Sequence, residues 1–302
     1  MILAAAALCC AGVFYLLTVV LAWGLVWPVN KVLLESLSPL WLMALRSAIA
    51  TLALFAIAAV RGRQATPLRA DLPVVLSITL LHMVGFGVFA AWGLQTVPTG
   101  RSVVLAYTTP LWVVPGAALF LGERLTARRL AGVVIGLGGL LVLFNPLAFD
   151  WTSREAVLGN GAILLAALLW AASILHIRAH RWTSTPFDLV PWEMLLATII
   201  LLPLAQAMDG PPATSWDARL TGLMLYAAIP GTAVAYWATA AASRALPAVT
   251  TSLGLLATPL VSTVVATFWL GEPLTLSLVI AIALILGGIA VGALDAAPLQ
   301  RS

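Results

Sequence analysis

The chain has 302 residues, is 62% hydrophobic and 9% charged, and has a mean hydropathy of +1.08. Soluble domains carry about 25% charged residues, so a water-soluble protein is excluded and the chain reads as a polytopic membrane protein. Its formal net charge of +4 does not point to nucleic acid, because the arginines fall between apolar runs, where they act as topology signals.

The Met-Ile-Leu-Ala start lacks a basic segment, so a cleaved signal peptide is not expected. Cys9 and Cys10 are adjacent and suggest neither a metal site nor a disulfide framework. A bilayer core about 30 Å thick needs about 20 apolar residues per helix. By that measure the sequence predicts ten spans, at 10–34, 39–60, 72–95, 98–121, 126–146, 157–179, 187–207, 219–243, 247–270 and 274–294. The connections are short and most carry Pro, Gly or charge, as in Arg61-Gly62-Arg63, Gly122-Glu123-Arg124 and Gly271-Glu272-Pro273. No soluble domain fits between them, so the function is expected within the membrane.

Orientation follows from the basic residues. Arg61, Arg63, Arg69, Arg124, Arg128, Arg129, Arg178, Arg181, Arg244 and Arg301 fall on one side, whereas Lys31, Arg101, Arg154 and Arg219 fall on the other. The positive-inside rule then predicts an inner-membrane protein with both termini in the cytoplasm.

The chain also repeats itself. Pro98 matches Pro247, Thr109-Pro110 matches Thr258-Pro259, Gly122-Glu123 matches Gly271-Glu272, and Leu125-Thr126 matches Leu274-Thr275, all at a spacing of 149 residues. Gly138-Gly139 and Gly287-Gly288 continue the register without a gap. Upstream, Trp23, Lys31 and Pro39 match Trp170, Arg178 and Pro186 at a spacing of 147. Such a fixed period signals duplication. Each copy (residues 1–147 and 148–302) holds five predicted spans, an odd number, so the second must enter the membrane from the opposite face. The expected fold is therefore all-α and integral to the membrane, with ten transmembrane helices in two inverted five-helix repeats. In that architecture solutes bind near the midplane between the halves.

Five-plus-five spans, with Thr-Pro near the middle of spans 4 and 9 and Gly-Glu-x-Leu-Thr after each, resemble the EamA branch of the drug/metabolite transporter superfamily. Trp23-Gly24 in span 1 and Trp170-Ala171 in span 6 fit the same resemblance. The aromatic residues further resemble those of bacterial exporters of aromatic amino acids. The resemblance implies a transporter, not an enzyme, with no cofactor, no metal and no nucleic-acid partner. Its partners would be a small-molecule substrate and the lipid bilayer. A monomer is expected, with a homodimer as the alternative.

The residues nearest the expected midplane are the binding candidates. Trp23 and Asn30 lie on span 1, His82 and Phe86 on span 3, Tyr107 and Thr109 on span 4, Trp170 on span 6, Tyr236 and Trp237 on span 8, and Thr258 on span 9. Deep Trp and Tyr need hydrogen-bond partners that a polar cavity supplies, although aromatic packing between helices is the plainer alternative. Pro110 and Pro259 are expected to act as hinges, since a mid-helix proline removes one backbone hydrogen bond. Arg46 and Glu193, 147 residues apart, are expected near the membrane faces, where they snorkel or are hydrated. The Gly132-x-x-x-Gly136, Gly138-Gly139, Gly287-Gly288 and Gly292 set predicts close helix contact between spans 5 and 10. With aromatics, hydroxyls and little charge, the expected solute is a small neutral or zwitterionic metabolite, an amino acid best of all. A purine, sugar or drug is the alternative.

Overall fold

The computed structural model describes residues 2–62, 66–145, 150–212, 214–246 and 248–293. Arg63, Pro247, Arg301 and the junction at 147/148 lie outside them. Every regular element among the described residues is helical. In hydrocarbon this is the arrangement that satisfies each backbone group within its own segment.

The elements are α1 (Ile2–Leu33), α2 (Pro39–Val60), α3 (Leu72–Ser77), α4 (Gly87–Thr96), α5 (Thr99–Ala106), α6 (Thr109–Leu121), α7 (Ala127–Phe144), α8 (Arg154–Ala179), α9 (Pro186–Asp209), α10 (Ala218–Ala228), α11 (Ala235–Ala245), α12 (Ala248–Leu255), α13 (Ala257–Leu270) and α14 (Leu276–Ala293). Wider π-helical turns at Ile78–Phe86 and Ile229–Val234 join α3 to α4 and α10 to α11. Among the described residues, nine helical segments are long and apolar enough to cross a membrane. The exception is the segment expected at 247–270, which is divided at Leu256 into α12 and the 14-residue α13. Large apolar side chains cover the outside, Phe14 at 66% exposure and Phe268 at 87% among them. That is the surface a lipid-facing bundle requires.

Helices pack in matched pairs: α2 lies against α9, α7 against α14, α1 against α11 and α13, and α8 against α4, α5 and α6. Glycine sets the closest of these contacts. A Cβ on Gly288 would sit 2.5 Å from the Gly132 carbonyl and 2.7 Å from the Gly136 amide; one on Gly139 would sit 2.9 Å from the Ile285 amide. Only residues without a side chain allow two backbones so near. The contacts Gly136–Gly288 and Gly139–Ile285 exchange into each other under the spacing of 149 residues.

The repeated Gly-Glu-x-Leu-Thr is a helix terminator joined to a helix initiator. Gly122 (φ 67°) and Gly271 (φ 69°) end α6 and α13 in the left-handed conformation that favours glycine. Thr126 then accepts the Arg129 amide at 3.2 Å to start α7, and Thr275 accepts the Leu278 amide at 3.2 Å to start α14. The intervening glutamates differ in what they hold. Glu123 pairs with Arg178 and with Arg129 (3.3 Å), whereas Glu272 accepts the Thr99 and Gly100 amides (2.7 and 3.0 Å) at the open N-terminus of α5.

The two prolines sit differently from the expectation of a mid-helix kink. Pro110 and Pro259 occupy the first turns of α6 and α13, just past breaks at Tyr107-Thr108 and at Leu256. A proline there removes a donor that a helix start leaves unpaired in any case. The carbonyl of Ala106, four residues before Pro110, accepts the Thr109 hydroxyl at 2.8 Å. The halves diverge at this point, because the Thr258 hydroxyl faces the Tyr107 phenol.

Candidate functional site

Among the described residues, two chambers lie inside the bundle. The central one is walled by the rings of Trp23, Trp27, His82, Phe86, Tyr107, Trp170 and Tyr236, with Asn30, Met43 and Arg46 between them. The second runs from Thr109, Pro110 and Leu256 to the charged group of Glu123, Arg129 and Arg178. Tyr107 and Trp170 line both cavities. Their rings meet edge to face with centroids 6.0 Å apart, so this pair is the partition between the chambers.

Local backbone explains how the rings converge. Tyr107 falls in the break between α5 and α6, where its amide still reaches the Val103 carbonyl four residues back (2.9 Å) while the Thr108 amide closes a tighter turn onto the Leu105 carbonyl three residues back (3.1 Å). That turn directs the phenol inward. His82 and Phe86 lie in the first π-helical stretch, a widened turn of the kind that often marks a working site. His82 stacks on Trp170 (5.2 Å, 10° between planes), and Phe86 tilts against the same indole at 5.1 Å. Tyr236 closes the box, edge-on to Trp23 at 5.9 Å, with its hydroxyl 3.4 Å from the Met83 sulfur.

Seven of the residues singled out from the sequence share the central cavity: Trp23, Asn30, His82, Phe86, Tyr107, Trp170 and Tyr236. Three do not. Thr109 lines the second chamber and donates to the carbonyls of Ala106 and Ala167. Thr258 is fully buried behind Tyr107. Trp237, one residue past Tyr236 and so turned about 100° around the helix, packs on Tyr15 (5.3 Å) with the Arg61 guanidinium 4.7 Å from its ring centre.

Arg46 and Glu193, expected near the membrane faces, both face the interior of the bundle. Arg46 lines the central cavity, its Nε donating to the Thr232 hydroxyl at 2.7 Å, and it lies in electrostatic range of His82 and Tyr236. Glu193 is 2% exposed, with Tyr236 beside it. Both helices pack inward at these positions, because α2 and α9 are pressed against each other and against the two π-helical stretches. Seven residues past a proline, a residue is only about 10 Å along its helix, and sequence alone does not say which way it faces. Arg46 is thus a wall residue missing from the binding candidates read from the sequence, as are Trp27 and Met43. The signal available for Arg46 was its match with Glu193 in the repeat.

The EamA-like transporter family matches this chain twice, over residues 11–145 and 157–293. The chain belongs to that family. Among its relatives is an uncharacterized transporter of Bacillus subtilis (strain 168), 23% identical over 274 residues, covering 91% of this chain and 94% of the relative. A probable terminal-alkyne amino-acid exporter of Streptantibioticus cattleyicolor is 31% identical over 263 residues, 86% of each chain. A solved crystal structure superposes with a TM-score of 0.68 over 96% of this chain and 99% of its own, at 23% identity, which speaks to the fold alone. This is a multi-pass membrane transporter, and the two relatives above are named as a transporter and an exporter.

Proposed function

We propose that this EamA-family protein exports small neutral or zwitterionic metabolites, amino acids including aromatic ones, by alternating access. The observation that carries the reading is the shared wall: two cavities end on opposite sides of one ring pair, Tyr107 and Trp170. A path blocked at its middle by two side chains is what a carrier needs when it opens to one side at a time. The chemistry of the box suits the solute, since aromatic faces stack on flat groups while Asn30, Tyr107 and Tyr236 offer polar contacts. The amino-acid exporter among the relatives supports the same class.

The architecture behind this mechanism is two inverted five-helix repeats, residues 1–147 and 148–302, with α12 and α13 together forming a tenth span. Contacts between residues 147 apart support it, Thr51 with Thr198 among them. So does the crossing of α7 and α14 at matched glycines. The distribution of arginine in the sequence supports both termini in the cytoplasm of a bacterial inner membrane, which would set the Glu123–Arg178 group at the cytoplasmic mouth of the second chamber. The protein works as a monomer in this reading.

Uptake of a panel of radiolabelled amino acids into liposomes holding the purified protein, with and without a pH gradient, tests the proposal. Saturable counterflow of phenylalanine or tryptophan above that of empty liposomes is expected. Counterflow of only purines or sugars would replace the substrate class and keep the carrier.

A further inference from the structure

The central cavity has one permanent cation in its wall. Arg46 uses its Nε on Thr232, 2.7 Å away, and among the described residues no carboxylate lies within ion-pair distance of it. The residue lines the chamber. The other titratable groups around that chamber are His82, Tyr107 and Tyr236, with Glu193 beyond Tyr236. None supplies the guanidinium with an anion inside the cavity.

A guanidinium keeps its charge at any ordinary pH, so it cannot escape burial by losing a proton. Holding an unpaired charge inside a membrane costs several kcal/mol unless water or an anion answers it. The planar fork of an arginine matches the two oxygens of a carboxylate, and a bidentate pair of this kind is among the strongest hydrogen-bonded contacts available. Thr232 fixes the fork from behind. The hydroxyl is itself held by the Ala227 carbonyl at 2.8 Å, within the π-helical stretch. The anchor is therefore preorganised, not flexible.

We propose that Arg46 is the anion anchor of the central cavity and takes the carboxylate of the transported solute. This rests on the transport reading above and narrows it: the solute is a carboxylic acid bearing a flat apolar group. That group lies against the His82–Trp170 stack and Phe86. Asn30 completes the set for an amino acid. It is 7% exposed, lines the same cavity, and among the described residues its Oδ1 meets no hydrogen-bond partner, which suits an ammonium donor. A cationic amine without a carboxylate would meet Arg46 and be repelled.

The test is a pair of probes that differ only at the acid, 3-phenylpropionate and 3-phenylpropionamide, titrated calorimetrically into the purified protein in lipid nanodiscs. The acid is expected to bind on the order of 10- to 100-fold more tightly, the range for a hydrogen bond to a charged group. Arg46→Gln should erase that preference while the melting temperature stays close to that of the parent. Equal affinity of the unaltered protein for both probes overturns the assignment, and this comparison decides the matter even if Arg46→Gln does not fold. An undiminished preference for the acid in a folded Arg46→Gln also overturns it. If the acid preference holds and depends on Arg46 but no labelled amino acid crosses the liposomes, the anchor stands and the amino-acid export reading fails.

Discussion

The hydroxyls of Thr51 and Thr198 lie 3.2 Å apart, and each is also 2.8 Å from the carbonyl four residues before it, that of Ser47 or of Met194. Two protons therefore serve three contacts. The residues are 147 apart in sequence, so each meets its own counterpart, as happens on a twofold axis. Thr51→Val and Thr198→Val should each cost about 0.5–1 kcal/mol. The double variant should cost less than the two losses added together, because the contact across α2 and α9 is lost once. Thermal unfolding of the four proteins gives the cycle, and strict additivity would argue against a shared bond.

The glycines of α7 and α14 divide by environment. Gly139 and Gly288 face the partner backbone, whereas Gly138 and Gly287 have nothing within 4 Å of a new Cβ. Gly288→Ala should destabilise by about 1–3 kcal/mol, as overpacking does. Gly287→Ala should be neutral or gain up to about 1 kcal/mol from helix propensity. Melting temperatures in one detergent compare the two directly; similar losses in both would remove the crossing as the reason for the motif.

Trp170→Ala removes one leaf of the partition, and Trp23→Ala and Tyr107→Ala remove other parts of the same box. Transport should fall at least about tenfold, equivalent to about 1.4 kcal/mol, with a proportionally smaller loss of thermal stability. Parallel losses of flux and stability would assign these rings to packing.

The breaks before Pro110 and Pro259 predict opposite effects. Pro110→Ala should let α5 run on into α6, and Pro259→Ala should join α12 to α13, by restoring a donor to each helix. The two breaks lie at matched positions in the halves, so the variants should favour opposite-facing states. Side-specific cysteine labelling of the central cavity reads the direction, and a shift of both variants the same way would make these prolines passive.

Glu123 and Glu272 sit in identical motifs and should be reached from opposite sides of the membrane. Cysteine placed at each position, probed with an impermeant reagent in cells and in inverted vesicles, checks this. Labelling of both from one side would falsify the inverted arrangement.

Much of this was legible in the sequence because hydrocarbon imposes simple rules. Apolar runs of bilayer length marked nine of the ten expected spans within a few residues, and Gly122 and Gly271 marked the helix ends through a conformation other residues avoid. Depth and facing were less legible. Arg46 reads as a residue near a membrane face because it follows a helix start by only seven positions; its inward placement comes from contacts that α2 makes with elements far along the chain. The π-helical turns around His82 and Thr232 left no trace in hydropathy, since widening a turn changes hydrogen-bond register and not composition. Trp237 was grouped with Tyr236 on depth alone, yet neighbours on one helix point in different directions.

The position of Arg46 also bears on how membrane voltage acts on this protein. In an alternating-access cycle of the kind proposed above, a fixed positive charge beside the chamber shifts its place in the transmembrane field, where a full crossing is worth about 2.3 kcal/mol per 100 mV. Return of the empty carrier would then be electrically sensed. With a solute that carries a carboxylate and no ammonium, the pair is neutral and the loaded step would be indifferent to voltage, whereas a zwitterionic amino acid would leave one net positive charge in both steps. The charge of the solute on this one arginine would in this way decide which half of the cycle the cell's membrane potential can drive.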